Sequence, residues 1–199
     1  MQKPTGYDEA KESGNFTPAN LGGHYAVIKQ VSETQSSTGK DMIVVLFDFA
    51  KEDSQPGYFT DLFNNSDRDG REKKWPFAGS KYIMVKDFND PNKTSSAFKT
   101  FCSCAERSNN FEISWGGNNW AAQFKGKKIG VVFGEEESEY NGETRMRRNP
   151  RWFCTYDKVK EQGIPKAKYL NGTGPSTPPA TGNDDFLGTP EGAADEIPF

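Results

Sequence analysis

The sequence predicts a mainly-β fold: a five-stranded barrel with a helical insertion between its third and fourth strands, followed by a disordered acidic tail. Three observations carry this. Two runs of strand-forming residues flank a polar turn near the start, a stretch with apolar residues at helical spacing follows, and a second pair of strand runs meets at an Asn-Gly turn. A chain of 199 residues is long enough for one well-buried core plus an appendage, and short for two.

In the first run Tyr25, Val27, Lys29 and Val31 alternate with Ala26, Ile28 and Gln30. The polar stretch Thr34 to Lys40 then separates it from Met42 to Phe49. Strand 2 is apolar on both faces, so the sequence leaves open whether Phe47 and Phe49 or Met42, Val44 and Leu46 point inward. The aromatic stretch Gly57 to Phe63, after a Pro-Gly turn, reads as strand 3. Asn64 to Gly79 is too charged for core and reads as a surface loop, and Lys81 to Val85 fits strand or helix.

Phe98, Phe101, Cys102 and Ala105 fall at i, i+3, i+4 and i+7, which predicts a helix from about Ser95 to Arg107 with Thr94, Ser95 or Ser96 as its cap. Trp120, Ala121 and Phe124 suggest one or two more helical turns. Lys127 to Phe133 restarts as a strand, and Asn141-Gly142 turns it into a partner, Thr144 to Tyr156, interrupted at Asn149-Pro150. Three strands, a helical insertion and two strands is the order of an oligonucleotide-binding barrel.

Residues 1–20 are polar and read as a flexible arm, 21–170 as the domain and 171–199 as the tail, whose Gly and Pro content cannot bury enough apolar surface to order it. All 25 Lys and Arg precede Asn171. The body therefore holds 25 cations against 23 acids, a balance of +2, while the tail carries −5. No run of about 18 apolar residues exists, and Met1 to Pro4 lacks the layout of a secretory signal, so a cytoplasmic location is expected.

Catalytic groups are sparse. The single histidine, His24, has no Ser or Cys motif in register and reads as a strand-edge residue. Glu135, Glu136, Glu137 and Glu139 could hold a divalent metal for nuclease work, but neighbours along a strand point to opposite faces and do not converge on one ion. Cys102, Cys104 and Cys154 form an odd set without a usual zinc spacing, and Cys102 falls on the apolar stripe of the helix. Neither a metal, nor any other cofactor, nor an enzyme activity is expected.

A nucleic-acid constellation is stronger, because single-strand binders combine cations for phosphates with flat rings for bases. Arg145, Arg147, Arg148 and Arg151 run into Trp152; Lys73 and Lys74 abut Trp75; Lys51 lies between Phe47 and Phe49 on one side and Tyr58 and Phe59 on the other; Lys29 and Lys40 flank the first turn. This reading requires rings and cations to share one groove. Its competitors are rings packed as core and arginines paired with Glu135 to Glu139 across the hairpin.

The last five residues, Asp195-Glu196-Ile197-Pro198-Phe199, resemble the acidic tip of bacterial and phage single-stranded DNA-binding proteins, which ends in Asp-Asp-Ile-Pro-Phe. The body, through Gly23-His24-Tyr25, Phe98 to Phe101, Glu106 to Asn109 and Phe124 to Glu136, is similar to a family of single-strand binders from phages of Gram-positive bacteria. The resemblance implies sequence-independent binding of single-stranded DNA in replication, recombination and repair, with partner proteins recruited by the tip. Phe199 offers them a ring and a carboxylate. An interaction protein that uses the tip as a mimic to capture or block host repair enzymes is the second reading. The edge of the first strand also offers a second copy a pairing surface, so a homo-oligomer stays open.

Overall fold

In a computed structural model that describes residues 2–5, 7, 17–66, 72–117 and 119–170, five strands form one antiparallel sheet in the order β3-β2-β1-β4-β5. The strands are β1 (Gly22–Gln35), β2 (Asp41–Phe49), β3 (Ser80–Met84), β4 (Lys128–Tyr140) and β5 (Glu143–Cys154). The tail, with Asp195, Glu196, Ile197, Pro198 and Phe199, lies outside the described residues.

β1 is the hinge of the sheet. It pairs with β2 from Ala26 onward and with β4 from Gly22 to Val27, so neighbours leave it on both sides. Bulges between Ile28 and Gln30, and between Val132 and Phe133, bend the strands and strengthen their twist. The sheet is not closed: no ladder joins β3 to β5 among the described residues, although the Lys81 ammonium on β3 donates to the Pro150 carbonyl on β5 at 3.1 Å.

One side of the sheet holds the main core. Ala26, Ile28, Ile43, Val45, Phe47, Phe49, Ile129, Val131 and Phe133 point inward and are buried. Phe47 meets Phe59, Phe133 and Phe153 edge to face at about 6 Å, an arrangement aromatic pairs favour. The ambiguity of β2 is thus settled in favour of Phe47 and Phe49.

The segment Gly57 to Phe63, strand-like by composition, folds instead as α1 (Tyr58–Asn65). The cause is distant in sequence. The buried Asp48 carboxylate at the end of β2 accepts from the Phe59 and Thr60 amides and the Thr60 hydroxyl, and so caps the free N–H groups of the first turn. The stretch Lys81 to Val85, ambiguous by composition, supplies most of β3.

α2 (Ser96–Asn109) matches its periodicity. The Ser95 hydroxyl accepts from the Phe98 amide at 3.1 Å, Phe98, Phe101, Cys102, Cys104 and Ala105 are buried, and Asn110 ends the helix at φ 49°. Asn109 then ties the helix to β4 through Lys128, donating to its carbonyl and accepting from its amide at 2.8 Å each. A 3-10 turn follows at Trp120–Phe124. At the β4–β5 turn Asn141 and Gly142 both have positive φ, 53° and 76°, as a tight Asn-Gly hairpin needs.

Candidate nucleic-acid interface

Among the described residues, the chain after β5 is what lies over the outer side of the sheet at β1 and β4. A 3-10 turn at Tyr156–Glu161 lies over β1 and β4, where Val159 packs against Val132 and Cys154. Glycines permit this approach: a Cβ on Gly130 would stand 2.7 Å from Val159 Cγ2, and one on Gly134 would be 3.1 Å from Pro165. Further on, Lys168 bridges to Glu136, with the Glu137 amide donating to its carbonyl at 2.8 Å. The outer face around Gly130, Val132 and Gly134 is therefore covered, while Trp152, Arg145 and Arg147 on the same side stay exposed.

The β3-β2 half carries an apolar outer surface. Register places Val44 beside Tyr82 and Met42 beside Met84, all on the side opposite the buried Ile43, Val45 and Ile83. Tyr82 is 41% exposed and Phe77, just before β3, is 56% exposed; their rings lie 6.1 Å apart and nearly parallel, at 25°. At the end of the sheet where β1 turns into β2, the Lys40 ammonium sits 3.9 Å from the centre of the exposed Phe88 ring. Lys74 and Lys86 are exposed close by in sequence. Flat rings, aliphatic side chains and cations are what a platform for unpaired bases requires.

The candidates nominated from sequence are distributed differently from the expectation. Phe47, Phe49 and Phe59 are core, at most 3% exposed, and cannot meet a base; the rings that face solvent are Phe77 and Tyr82, with Phe88 beside Lys40. Tyr58 is half-buried and its hydroxyl donates to the Thr17 carbonyl. Trp75 is half-buried too, packed on Phe63 with its indole N–H on the Gly79 carbonyl at 2.9 Å. Lys73 is exposed and donates to the Asn64 carbonyl. Lys29 is exposed at the β1 bulge and Lys51 in the turn after β2.

The arginines do not form one cluster. Register along the β4–β5 arm puts Arg145 and Arg147 on one face and Arg148 on the other, by the alternation that also divides the glutamates. Arg145 pairs with Glu143, and Arg147 is exposed. Arg148 donates to the Ala19 carbonyl at 2.7 Å and lies 3.8 Å from Glu135. Arg151 is half-buried at the second bulge, near Glu136. Trp152 is 41% exposed, with its N–H on Gln162. Glu136 is pushed up by burial, but hydrogen bonds from Lys168 and Asn149 and the charges of Lys168 and Arg151 outweigh that and hold it below the usual carboxylate range. Pairing across the hairpin is therefore real for part of the cluster.

The groups weighed for catalysis are engaged elsewhere. His24 is buried, stacked on Phe49 at 4.1 Å, with Nδ1 3.0 Å from Asp53 and Nε2 2.9 Å from the Asn20 carbonyl. Burial pushes the three thiols up, Cys102 and Cys154 to about 12 and Cys104 to about 11, which disfavours the thiolate that metals and electrophiles need. No cluster of three metal-ligating side chains occurs among the described residues, and no helix among them is long and apolar enough to cross a membrane.

The His24–Asp53 pair makes one testable contribution to stability. Burial pushes the Asp53 carboxyl up, yet the hydrogen bond from His24 and those from the Gln55 and Tyr25 amides more than compensate, so it lies below its ordinary 3.8. A carboxyl lowered on folding stabilises above its unfolded value, and that contribution is lost as pH falls through the folded value. Urea midpoints should therefore drop below about pH 4 in the native chain, with a smaller drop in Asp53→Asn. Equal drops would remove Asp53 from the acid response.

No family model matches the chain, and no curated protein matches it.

Proposed function

We propose that this chain binds single-stranded DNA independently of sequence, without catalysis, in phage or bacterial replication, recombination and repair. Its sheet is read as a partly open oligonucleotide-binding barrel. In favour stand the central first strand, the order β3-β2-β1-β4-β5 and the position of α2 between β3 and β4. Recruitment of partner proteins through Asp195 to Phe199 belongs to the same proposal.

The observation that carries the reading is the Phe77–Tyr82 ring pair beside Met42, Val44 and Met84, on the half of the outer sheet that the described residues leave exposed. The face between strands 2 and 3, with the loops joining strands 1 to 2 and 4 to 5, is where such barrels hold oligonucleotides. In this chain the first of those loops carries Lys40, and the β5 strand that leaves the second carries Arg145 and Arg147. Rings in this setting stack on bases, and duplex DNA hides its bases from them.

Fluorescence anisotropy with a labelled thymidine oligonucleotide tests the reading. Tight, salt-sensitive binding of the single strand and weak binding of duplex are expected; equal affinity for both, or none for either, would overturn it. The double variant Arg145→Ala/Arg147→Ala should weaken binding to all base compositions alike. If each arginine neutralises one phosphate, the slope of log affinity against log salt becomes shallower by roughly 1.4. An unchanged slope would exclude the arm from the path of the strand.

A further inference from the structure

A further exposed ring belongs to the loop after α2: Trp115, which is 62% exposed. Its ring is buttressed from behind by two others: Trp120, at 5.8 Å and 28°, and Phe98 in the first turn of α2, at 6.3 Å and 56°. Those two support each other at 5.8 Å and 28°, and Trp120 also meets Phe124 in the core edge to face at 4.9 Å. An indole held by two rings keeps its orientation while more than half of it stays in water. That is costly as packing and useful as a platform.

The surroundings select the occupant. Ser114, Gly116 and Gly117 flank the ring in sequence, and a Cβ on either glycine would meet nothing within 4 Å. An apolar protein segment needs a rim of apolar contacts, which these residues do not provide, whereas a single flat group with its sugar needs only one ring and open space beside it. Lys99, next to Phe98, and Lys125, just after the 3-10 turn, are exposed cations that bracket the cluster in sequence; Glu112 is the exposed acid near it.

We infer that Trp115 is a second base-stacking subsite, which engages a nucleobase of a strand long enough to run from the β2–β3 face around to the α2 side. This rests on the proposed single-strand binding. The test compares the native chain, Trp115→Ala, Trp115→Phe and Phe77→Ala/Tyr82→Ala on thymidine oligonucleotides of roughly 6 and roughly 30 nucleotides, lengths that straddle the usual footprint of one such domain.

Trp115→Ala should bind the long oligonucleotide about tenfold more weakly and the short one as the native chain does, while Trp115→Phe, which keeps a flat ring, recovers most of the loss. Melting temperatures of the Trp115 variants should match the native chain. Native affinity of Trp115→Ala for both lengths, alongside a weakened Phe77/Tyr82 variant, overturns the subsite alone and leaves Trp115 as a surface for a protein partner. Equal losses in Trp115→Ala and Trp115→Phe overturn stacking as its role. If the native chain binds neither oligonucleotide, the functional reading falls, and the subsite with it.

Discussion

Replacing Phe77 and Tyr82 together with alanine should lower affinity for a thymidine oligonucleotide roughly 30-fold or more, at about 1 kcal/mol or above for each stacking ring lost. The two rings are 56% and 41% exposed and nearly parallel, so their truncation removes little that the core depends on. The melting temperature should accordingly move by less than about 3 °C. Conservative replacement separates stacking from shape: Phe77→Leu/Tyr82→Leu keeps apolar bulk and should lose nearly as much affinity as the alanine pair, because a base rests on a flat π face. Anisotropy titration at fixed salt reads all three proteins. Native affinity in the alanine variant, with an intact fold, would mean that the β2–β3 face does not carry DNA.

The sequence exposes some of this arrangement and hides the rest for identifiable reasons. α2 is legible because its apolar residues repeat at helical spacing and Ser95 stands where a cap belongs; the information is local. The hairpin turn at Asn141-Gly142 is legible for the same reason, since its backbone conformation calls for those residues. The inward face of β2 is hidden because Met42, Val44 and Leu46 are as apolar as the residues they alternate with. Only the partners of β2, with Phe133 and Phe153 on one side and Tyr82 and Met84 on the other, decide which set is core.

The site residues that composition nominated were those in the richest aromatic stretches, and such stretches feed the core first. Phe77 and Tyr82 lie instead in a charged segment and in a short strand of uncertain type. The alternation of Tyr82 and Met84 with the apolar Ile83 is a signal that could have located them, once β3 is recognised as a strand exposed on one face. The splitting of the arginines was also within reach. The strand alternation that keeps Glu135, Glu136 and Glu137 from converging on one ion also separates Arg147 from Arg148 on the facing strand.

The largest expected loss of stability belongs to Asp48→Ala, because one buried carboxylate holds α1 in place. Asp48 is 5% exposed; its oxygens accept from the Phe49 amide at 2.9 Å, the Phe59 amide at 2.9 Å, the Thr60 amide at 3.3 Å and the Thr60 hydroxyl. No side chain next to α1 in sequence replaces it, since the residue before the helix is Gly57 in the left-handed region, φ 69°. Removing the acceptor strands two or three buried donors at about 1 to 3 kcal/mol each, so a net cost of about 3 to 5 kcal/mol is expected. In a chain of this size that lowers the melting temperature by about 6 to 20 °C. Asp48→Asn restores the shape and one acceptor oxygen but turns an NH2 group toward N–H donors, and should recover less than half of the loss. Hydrogen exchange locates the damage: the Phe59 and Thr60 amides should lose protection before those of α2. A melting temperature within about 2 °C of the native value would show that α1 is held by the burial of Phe59 alone, and that the aromatic segment after Gly57 is helical without help from β2.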